Sequence, residues 1–313
     1  MKLIVTIPAY NEEENIAAVI KEIPRELPGI DKVEVLVLND GSRDKTAQVA
    51  KNAGADYVIS HRSNLGLAKT FSDAISEALK FGADLIVNTD GDNHYDQSKI
   101  NELIKPVLSN EADIVIGSRK IGELEKMPFL NKYGNKLGSY VTTKLAGIPK
   151  VDVSSGFRAY SKEAALRLSL MSNHTYTHAA LIQAADSRMV ILEIPIKARE
   201  VTRKSRLIKN IPDHIMRAGT VILRNIFIYK PLRAFLSLGL LIFAVGLIVV
   251  IRFLYFYFSG DGDGHIQSLI LAGVLMIIGF NFATLGMIAS AIGWNRKIIE
   301  EVLYRTKKQE YKK

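Results

Sequence analysis

VEVLVLNDGSRDKTAQVAKN, residues 33–52, passes from a short apolar run through a polar turn into a segment with apolar residues at helical spacing. A strand of this kind followed directly by a helix is the repeating unit of α/β folds. Outward from it, Lys2–Ile7, Asp84–Asn88 and Asp113–Gly117 repeat the β-rich run closed by a polar turn. Glu13–Glu22, Lys45–Asn52, Ala68–Phe81 and Gln97–Asn110 repeat the three- and four-residue apolar spacing. The strand runs are mainly apolar instead of alternating in and out, so both of their faces are expected to be covered by helices. The fold class is therefore α/β, with βαβ units and a mainly parallel sheet. Ligands of such sheets bind beyond the carboxyl ends of the strands. No internal repeat or low-complexity segment interrupts the pattern.

The chain has 313 residues, 48% hydrophobic and 23% charged, with 41 Lys and Arg against 32 Asp and Glu. That composition excludes a disordered or fibrous protein. Cys is absent, which removes disulfides, thiolate metal sites and Cys nucleophiles. The net charge of +9 raises nucleic acid as a partner, but its distribution argues against that. Residues 1–196 hold 23 basic and 25 acidic residues, whereas residues 197–233 hold 10 and 2, and residues 294–313 hold 7 and 3. The excess flanks one region, 234–293.

That region contains an 18-residue stretch without charge, Ala234–Ile251, and a 24-residue one, Leu269–Ile292. As helices they measure about 27 and 36 Å, against roughly 30 Å of bilayer hydrocarbon. Arg252 follows the first stretch and is expected to snorkel toward the interface beside Tyr255 and Tyr257. The connector Ser259–Gln267 carries two Asp and no Lys or Arg. By the positive-inside rule, both the N-terminal part and the tail are expected in the cytoplasm, on a two-helix anchor in the cell membrane. MKLIVTIPAYNEEE has too short an apolar run for a signal peptide. The expected division is a cytoplasmic α/β domain over 1–207, basic amphipathic interface helices over 208–231, two transmembrane helices over 232–293, and a basic tail over 294–313.

Taken singly, Asn39-Asp40-Gly41-Ser42 and Asp90-Gly91-Asp92 are ordinary turn sequences. Three polar strand ends in one parallel sheet, however, converge on one crevice. A carboxylate pair there suits a hard divalent cation that bridges a diphosphate.

PAYNE (8–12), NDGSRDKT (39–46), NTDGDNHYD (88–96), IGSR (116–119), SSGFRAY (154–160) and TRKSRL (202–207), followed by two spans, resemble family 2 glycosyltransferases of the GT-A fold. The resemblance is to the polyprenyl-phosphate branch, of the dolichol-phosphate mannose synthase type, and covers residues 1 to about 210 plus the membrane hairpin. It implies a metal-dependent, inverting enzyme that moves a hexose from a nucleotide sugar, UDP- or GDP-linked, to polyprenyl or dolichyl phosphate. A processive polysaccharide synthase is the alternative within the superfamily, but it would need a Gln-x-x-Arg-Trp segment, and the only Trp is Trp294. A silent membrane protein that binds nucleotide sugars or lipid-linked sugars is the alternative outside it.

The resemblance also implies roles. Pro8, Ala9, Tyr10, Glu12, Leu38 and Asp40 are expected to hold the donor's base and ribose, and Asp90 and Gly91 to complete the donor site. Asp90 and Asp92 are expected to bind Mg²⁺ or Mn²⁺, with His94 where many relatives carry Gln; imidazole would favour Mn²⁺. Arg119 and Arg206 are expected to reach phosphate, joining Asp92 in the catalytic set. Ser155, Arg158, Arg203 and Ser205 are expected on the acceptor side, while Arg199 and Lys204 read as solvated. His178 stands close to where relatives carry Glu or Gln. A phosphate acceptor is already an anion, so a missing carboxylate base fits a lipid phosphate better than a hydroxyl.

Overall fold

The computed structural model describes residues 1–119, 151–169, 176–196, 199, 231–260 and 265–311. They fall into two compact units, Met1–Ala218 with Glu300–Lys313, and Gly219–Ile299.

The first unit is built on a seven-stranded sheet in the order β3-β2-β1-β4-β6-β5-β7. Its strands are β1 Lys2–Ala9, β2 Lys32–Asn39, β3 Tyr57–Ser60, β4 Leu85–Asn88, β5 Ile114–Arg119, β6 Arg158–Ser161 and β7 Ile191–Ile196. All pairings are parallel except those of β6, which runs antiparallel between β4 and β5. Helices α1 Ile16–Glu22, α2 Thr46–Asn52, α3 Leu67–Lys80 and α4 Ile100–Leu108 connect the first five strands. The expected mainly parallel α/β fold is thus observed.

Double-sided burial explains the apolar runs. Leu3, Val5 and Ile7 of β1 and Val33, Val35 and Val37 of β2 join one core cluster with Ile16, Val19 and Ile20 of α1 and Leu103, Ile104 and Val107 of α4. On α3, Phe71, Ala74, Ile75 and Ala78 are buried, and this helix packs on β1 and β2. Each large aliphatic side chain so enclosed contributes about 1.5–3 kcal/mol. Gln97–Lys99 forms a 3₁₀ turn capped by Asp96, so α4 begins three residues later than its periodicity suggests. Two short helices follow in the same unit, α5 Lys162–Arg167 and α6 Tyr176–Asp186.

The second unit contains α7 Pro231–Phe258 and most of α8 Ile266–Glu310. Both are long and apolar enough to cross a membrane, and only 11% and 17% of their apolar windows is buried. Such exposure does not suit core helices of a water-soluble domain. The two meet backbone to backbone: a Cβ on Gly239 would stand 2.6 Å from the Gly279 carbonyl oxygen, and one on Gly279 2.7 Å from that of Gly239. Small residues at such crossings let membrane helices pack closely without a hydrophobic driving force. The tail does not break at 294, because α8 stays helical to Glu310. Its last turns belong to the first unit, where the Arg167 guanidinium lies 4.0 Å over the Tyr304 ring.

Candidate active site

β1 and β4 are neighbouring parallel strands, with Thr6 opposite Asn88. β2 lies on the other side of β1, so the chain reverses its direction of travel across the sheet between β1 and β4. Such a reversal opens a crevice at the carboxyl ends of the two strands. Pro8 pairs in register with Leu38 and Ala9 with Asn39, and the Asp40 amide donates to the Ala9 carbonyl at 2.8 Å. The segments beyond are laced together. The Asn11 amide donates to Ser42 Oγ, the Arg43 amide to Asn11 Oδ1 and the Glu12 amide to Thr46 Oγ1, all at 2.9 Å. Tyr10 is exposed at the crevice rim. Gly91 closes the other side, with space for no more than a Cβ against Ala9, Glu12 and Ile16, each 3.6 Å away. The residues expected at the donor site are therefore neighbours.

Asp90 sits in a polar cradle made by the antiparallel strand. Because Asn88 is paired with Arg158, the turn before β6 lies beside the end of β4. A Cβ on Gly156 would lie 2.6 and 2.7 Å from the two Asp90 carboxylate oxygens and 2.8 Å from Tyr176 Oη. Asn88 Nδ2 donates to the Gly156 carbonyl at 2.8 Å and to Tyr176 Oη at 3.1 Å, and the Gly156 amide donates to Tyr95 Oη at 3.0 Å. Burial, then the neighbouring Asp90 charge, raise the Tyr176 hydroxyl well above its usual range, so it stays protonated as a donor. Asp92 is exposed at the turn, where its Oδ1 accepts the His94 amide at 3.2 Å.

Two carboxylates at this crevice fit a divalent cation that completes its shell with diphosphate oxygens, the usual habit of Mg²⁺. Among the described residues, no three His, Asp or Glu side chains are grouped to hold a metal. The His94 ring lies edge-on to Tyr95, centroids 5.4 Å apart, and its carbonyl accepts the Arg199 amide at 2.9 Å.

Two residues expected on the acceptor side are enclosed by the protein. The Arg158 guanidinium is fully buried and donates to the carbonyls of Ser155, Thr177 and Val153 at 2.8, 2.9 and 2.8 Å. Ser155 is equally buried, its Oγ donating to the Gly117 carbonyl at 2.6 Å. Both hold the turn before β6. Arg199 is corrected, since it is no free surface cation: Nη1 reaches Glu22 at 2.8 Å and Asn93 Oδ1 at 2.6 Å. Arg119 ends β5 opposite Ile196. Arg203, Ser205 and Arg206 lie outside the described residues.

Asn88, Gly156 and Tyr176 escaped the sequence reading. A polar residue ending the apolar run Leu85–Asn88 is the one signal that pointed to Asn88. Tyr176 carried none, because only the fold brings it to β4.

His178 is placed as an uncharged residue. Burial of its ring and the Arg158 charge push it down to about 4, with Asp152 opposing. The ring is therefore neutral in the folded protein above about pH 4, while the unfolded chain takes up the proton near its ordinary value. Its contribution is full above about 6.5 and is lost as the pH falls through 4, about 3 kcal/mol over that interval. The thermal midpoint of the detergent-solubilised protein should thus drop between pH 7 and 4, and His178→Asn should flatten the drop. An unchanged slope in that variant would refute the assignment.

The fold is of the GT-A type, and the comparisons agree. Residues 4–168 match the family described as Glycosyl transferase family 2. A UDP-N-acetylglucosamine–dolichyl-phosphate N-acetylglucosaminyltransferase of Methanococcus voltae is 31% identical over 212 residues, 61% of this chain and 83% of the relative. A dolichyl-phosphate hexose transferase of Haloferax volcanii is 30% identical over 207 residues, 66% of this chain and 86% of the relative. Among solved structures, glucosyl-3-phosphoglycerate synthase of Mycobacterium tuberculosis, in complex with Mn²⁺, UDP-glucose and phosphoglyceric acid, aligns with a TM-score of 0.54 at 21% identity, covering 72% of this chain and 78% of that one. The chain belongs to glycosyl transferase family 2, and its chemistry is glycosyl transfer.

Proposed function

We propose that this enzyme moves a hexose from a nucleoside-diphosphate sugar to a polyprenyl phosphate, with inversion, at the cytoplasmic face of a membrane. The carrying observation is the pair of long apolar helices with exposed faces that follows the catalytic crevice in the same chain. A water-soluble acceptor gives no reason for them. The names of the two dolichyl-phosphate relatives support the same acceptor class.

Pro8, Ala9, Tyr10, Glu12, Leu38 and Asp40 hold the nucleoside in this reading. A divalent cation, Mg²⁺ or Mn²⁺, would sit between the diphosphate and the carboxylates of Asp90 and Asp92, where it would neutralise charge on the leaving group. Tyr176, held by Asn88, borders the space the Asp90 carboxylate occupies. Arg119 and Arg206 pair with phosphate, and Arg203 and Ser205 belong to the acceptor side. An acceptor phosphate oxygen attacks the anomeric carbon in line and needs no proton removed, so no general base is assigned. His178, pushed down to about 4, is too weak a base for the role. The basic residues of 197–233 and 294–313 support a reading in which both flanks of the helical pair meet the anionic cytoplasmic surface.

The test is a donor panel of UDP-glucose, UDP-N-acetylglucosamine and GDP-mannose, each with dolichyl phosphate and Mn²⁺. One donor should give label extractable into organic solvent and release one nucleoside diphosphate per sugar moved. Transfer to glycerol or water-soluble phosphates, with none to lipid, would overturn the acceptor class.

A further inference from the structure

His61 follows β3 directly, and its amide donates to the Asn39 carbonyl at 2.9 Å, which pins it beside the end of β2. Its ring lies between two carboxylates, Nδ1 2.9 Å from Asp40 Oδ1 and Nε2 3.2 Å from Asp73 Oδ2 on α3. Carboxylates only accept, so the ring donates toward Asp40 through Nδ1 and, when protonated, toward Asp73 through Nε2. Asp73 is also paired with Lys69 one turn earlier on α3. Asp40 itself is almost wholly buried. Its Oδ1 takes a second donor, the Leu65 amide at 2.8 Å, and its Oδ2 takes the Gly66 amide at 2.9 Å.

Burial alone would push the Asp40 carboxyl up, but the bonds from His61, Leu65, Gly66 and the Thr70 hydroxyl outweigh it and hold the group below its ordinary value. Of these four donors, two are backbone amides fixed by the loop and two are side chains. Thr70 Oγ1 also donates to the Gly66 carbonyl at 3.0 Å, which leaves His61 Nδ1 as the side-chain donor directed at Asp40 alone. With two donors on Oδ1, one on Oδ2 and the Thr70 hydroxyl shared with Gly66, the carboxylate retains acceptor capacity on Oδ2. Uracil and guanine both present a ring N–H that such an acceptor can take.

We infer that His61 is a positioning residue for donor binding: it fixes the Asp40 carboxylate against α3 so that Oδ2 meets the nucleobase. The inference rests on the proposed nucleotide-sugar function and adds a residue that does not touch the donor. It makes a chemical distinction that a space-filling role would not. The side-chain amide nitrogen of Asn falls near the position of Nδ1, whereas that of Gln reaches the position of Nε2. Asn can therefore keep the bond to Asp40, and Gln can keep only the one to Asp73.

The experiment titrates UDP, and separately GDP, into the full-length enzyme in detergent with Mn²⁺ present, for wild type, His61→Ala, His61→Asn and His61→Gln. One nucleotide should bind wild type. His61→Ala should weaken it at least tenfold, His61→Asn should recover to within about threefold of wild type, and His61→Gln should stay as weak as Ala. In turnover the loss should fall on the KM of the donor and spare kcat. If His61→Ala fails to fold, the order of Asn and Gln still decides. Equal affinity in all variants, or recovery by Gln above Asn, overturns the inference and leaves the proposed function standing. A wild-type enzyme that binds neither UDP nor GDP overturns the proposed donor class, and this inference with it.

Discussion

Asp92→Ala should lower transfer at least a thousandfold at saturating Mn²⁺, with no comparable loss of folded protein. Asp92 is exposed at the turn beyond β4 and makes one recorded bond, from the His94 amide, so the fold needs its carboxylate little. The proposed reaction needs it more. Two negative phosphates leave together, and their developing charge must be balanced where water is largely excluded. A thousandfold loss is about 4 kcal/mol of transition-state stabilisation, the several kcal/mol expected of metal-assisted charge neutralisation. Initial rates across a Mn²⁺ series check this, together with Mn²⁺ binding followed by electron spin resonance in the presence of the nucleotide. Undiminished turnover, or undiminished nucleotide-dependent Mn²⁺ binding, would remove Asp92 from the proposed metal site.

The strands that carry this site were legible because each is buried on both faces. Lys2–Ala9 and Lys32–Asn39 are mostly apolar residues, the buried Glu34 being paired with Lys2 and Lys32, and their ends are marked by the first polar turn. β3 was not legible: it has four residues, none of them fully buried, and Tyr57 contributes mainly by stacking on Phe81 at 3.9 Å. β6 was hidden for another reason. Arg158 heads it, and a charged residue reads as surface until the fold supplies three carbonyls in a dry turn. The same effect misleads for Arg199, whose partner Glu22 lies 177 positions away. Motif positions near Asp40 and Asp90 were legible as chemistry only together, since each alone is an ordinary turn but polar ends of neighbouring parallel strands converge on one crevice. The side chains that orient those carboxylates were not. Tyr176, Asn88 and His61 act through contacts between elements far apart in sequence, and neither periodicity nor spacing records them.

Gly156→Ala isolates that hidden layer, because it adds one methyl group and changes no charge, ligand or hydrogen-bonding side chain. The methyl carbon would begin 2.6 and 2.7 Å from the Asp90 oxygens and 2.8 Å from Tyr176 Oη, well inside contact distance. Something must give. The Gly156 backbone is held by Asn88 Nδ2 at its carbonyl and by Tyr95 Oη at its amide. Tyr176 is fully enclosed and stacked on Phe71 with ring centroids 4.1 Å apart. Asp90 is the least confined of the three, being only partly buried at the crevice, so its carboxylate should move out. A displacement of about 1 Å at a positioned group costs on the order of a hundredfold in rate. The variant should therefore fold, keep its strand pairing and lose about a hundredfold in kcat, with Mn²⁺ binding weakened in parallel. Gly156→Ser should do no better, since its hydroxyl starts from the same Cβ. Tyr176→Phe tests the opposite face of the cradle. It removes a donor beside Asp90 without adding an atom, and should cost less than Gly156→Ala. Wild-type turnover in Gly156→Ala would mean that the Asp90 carboxylate does not occupy this cradle in the working enzyme.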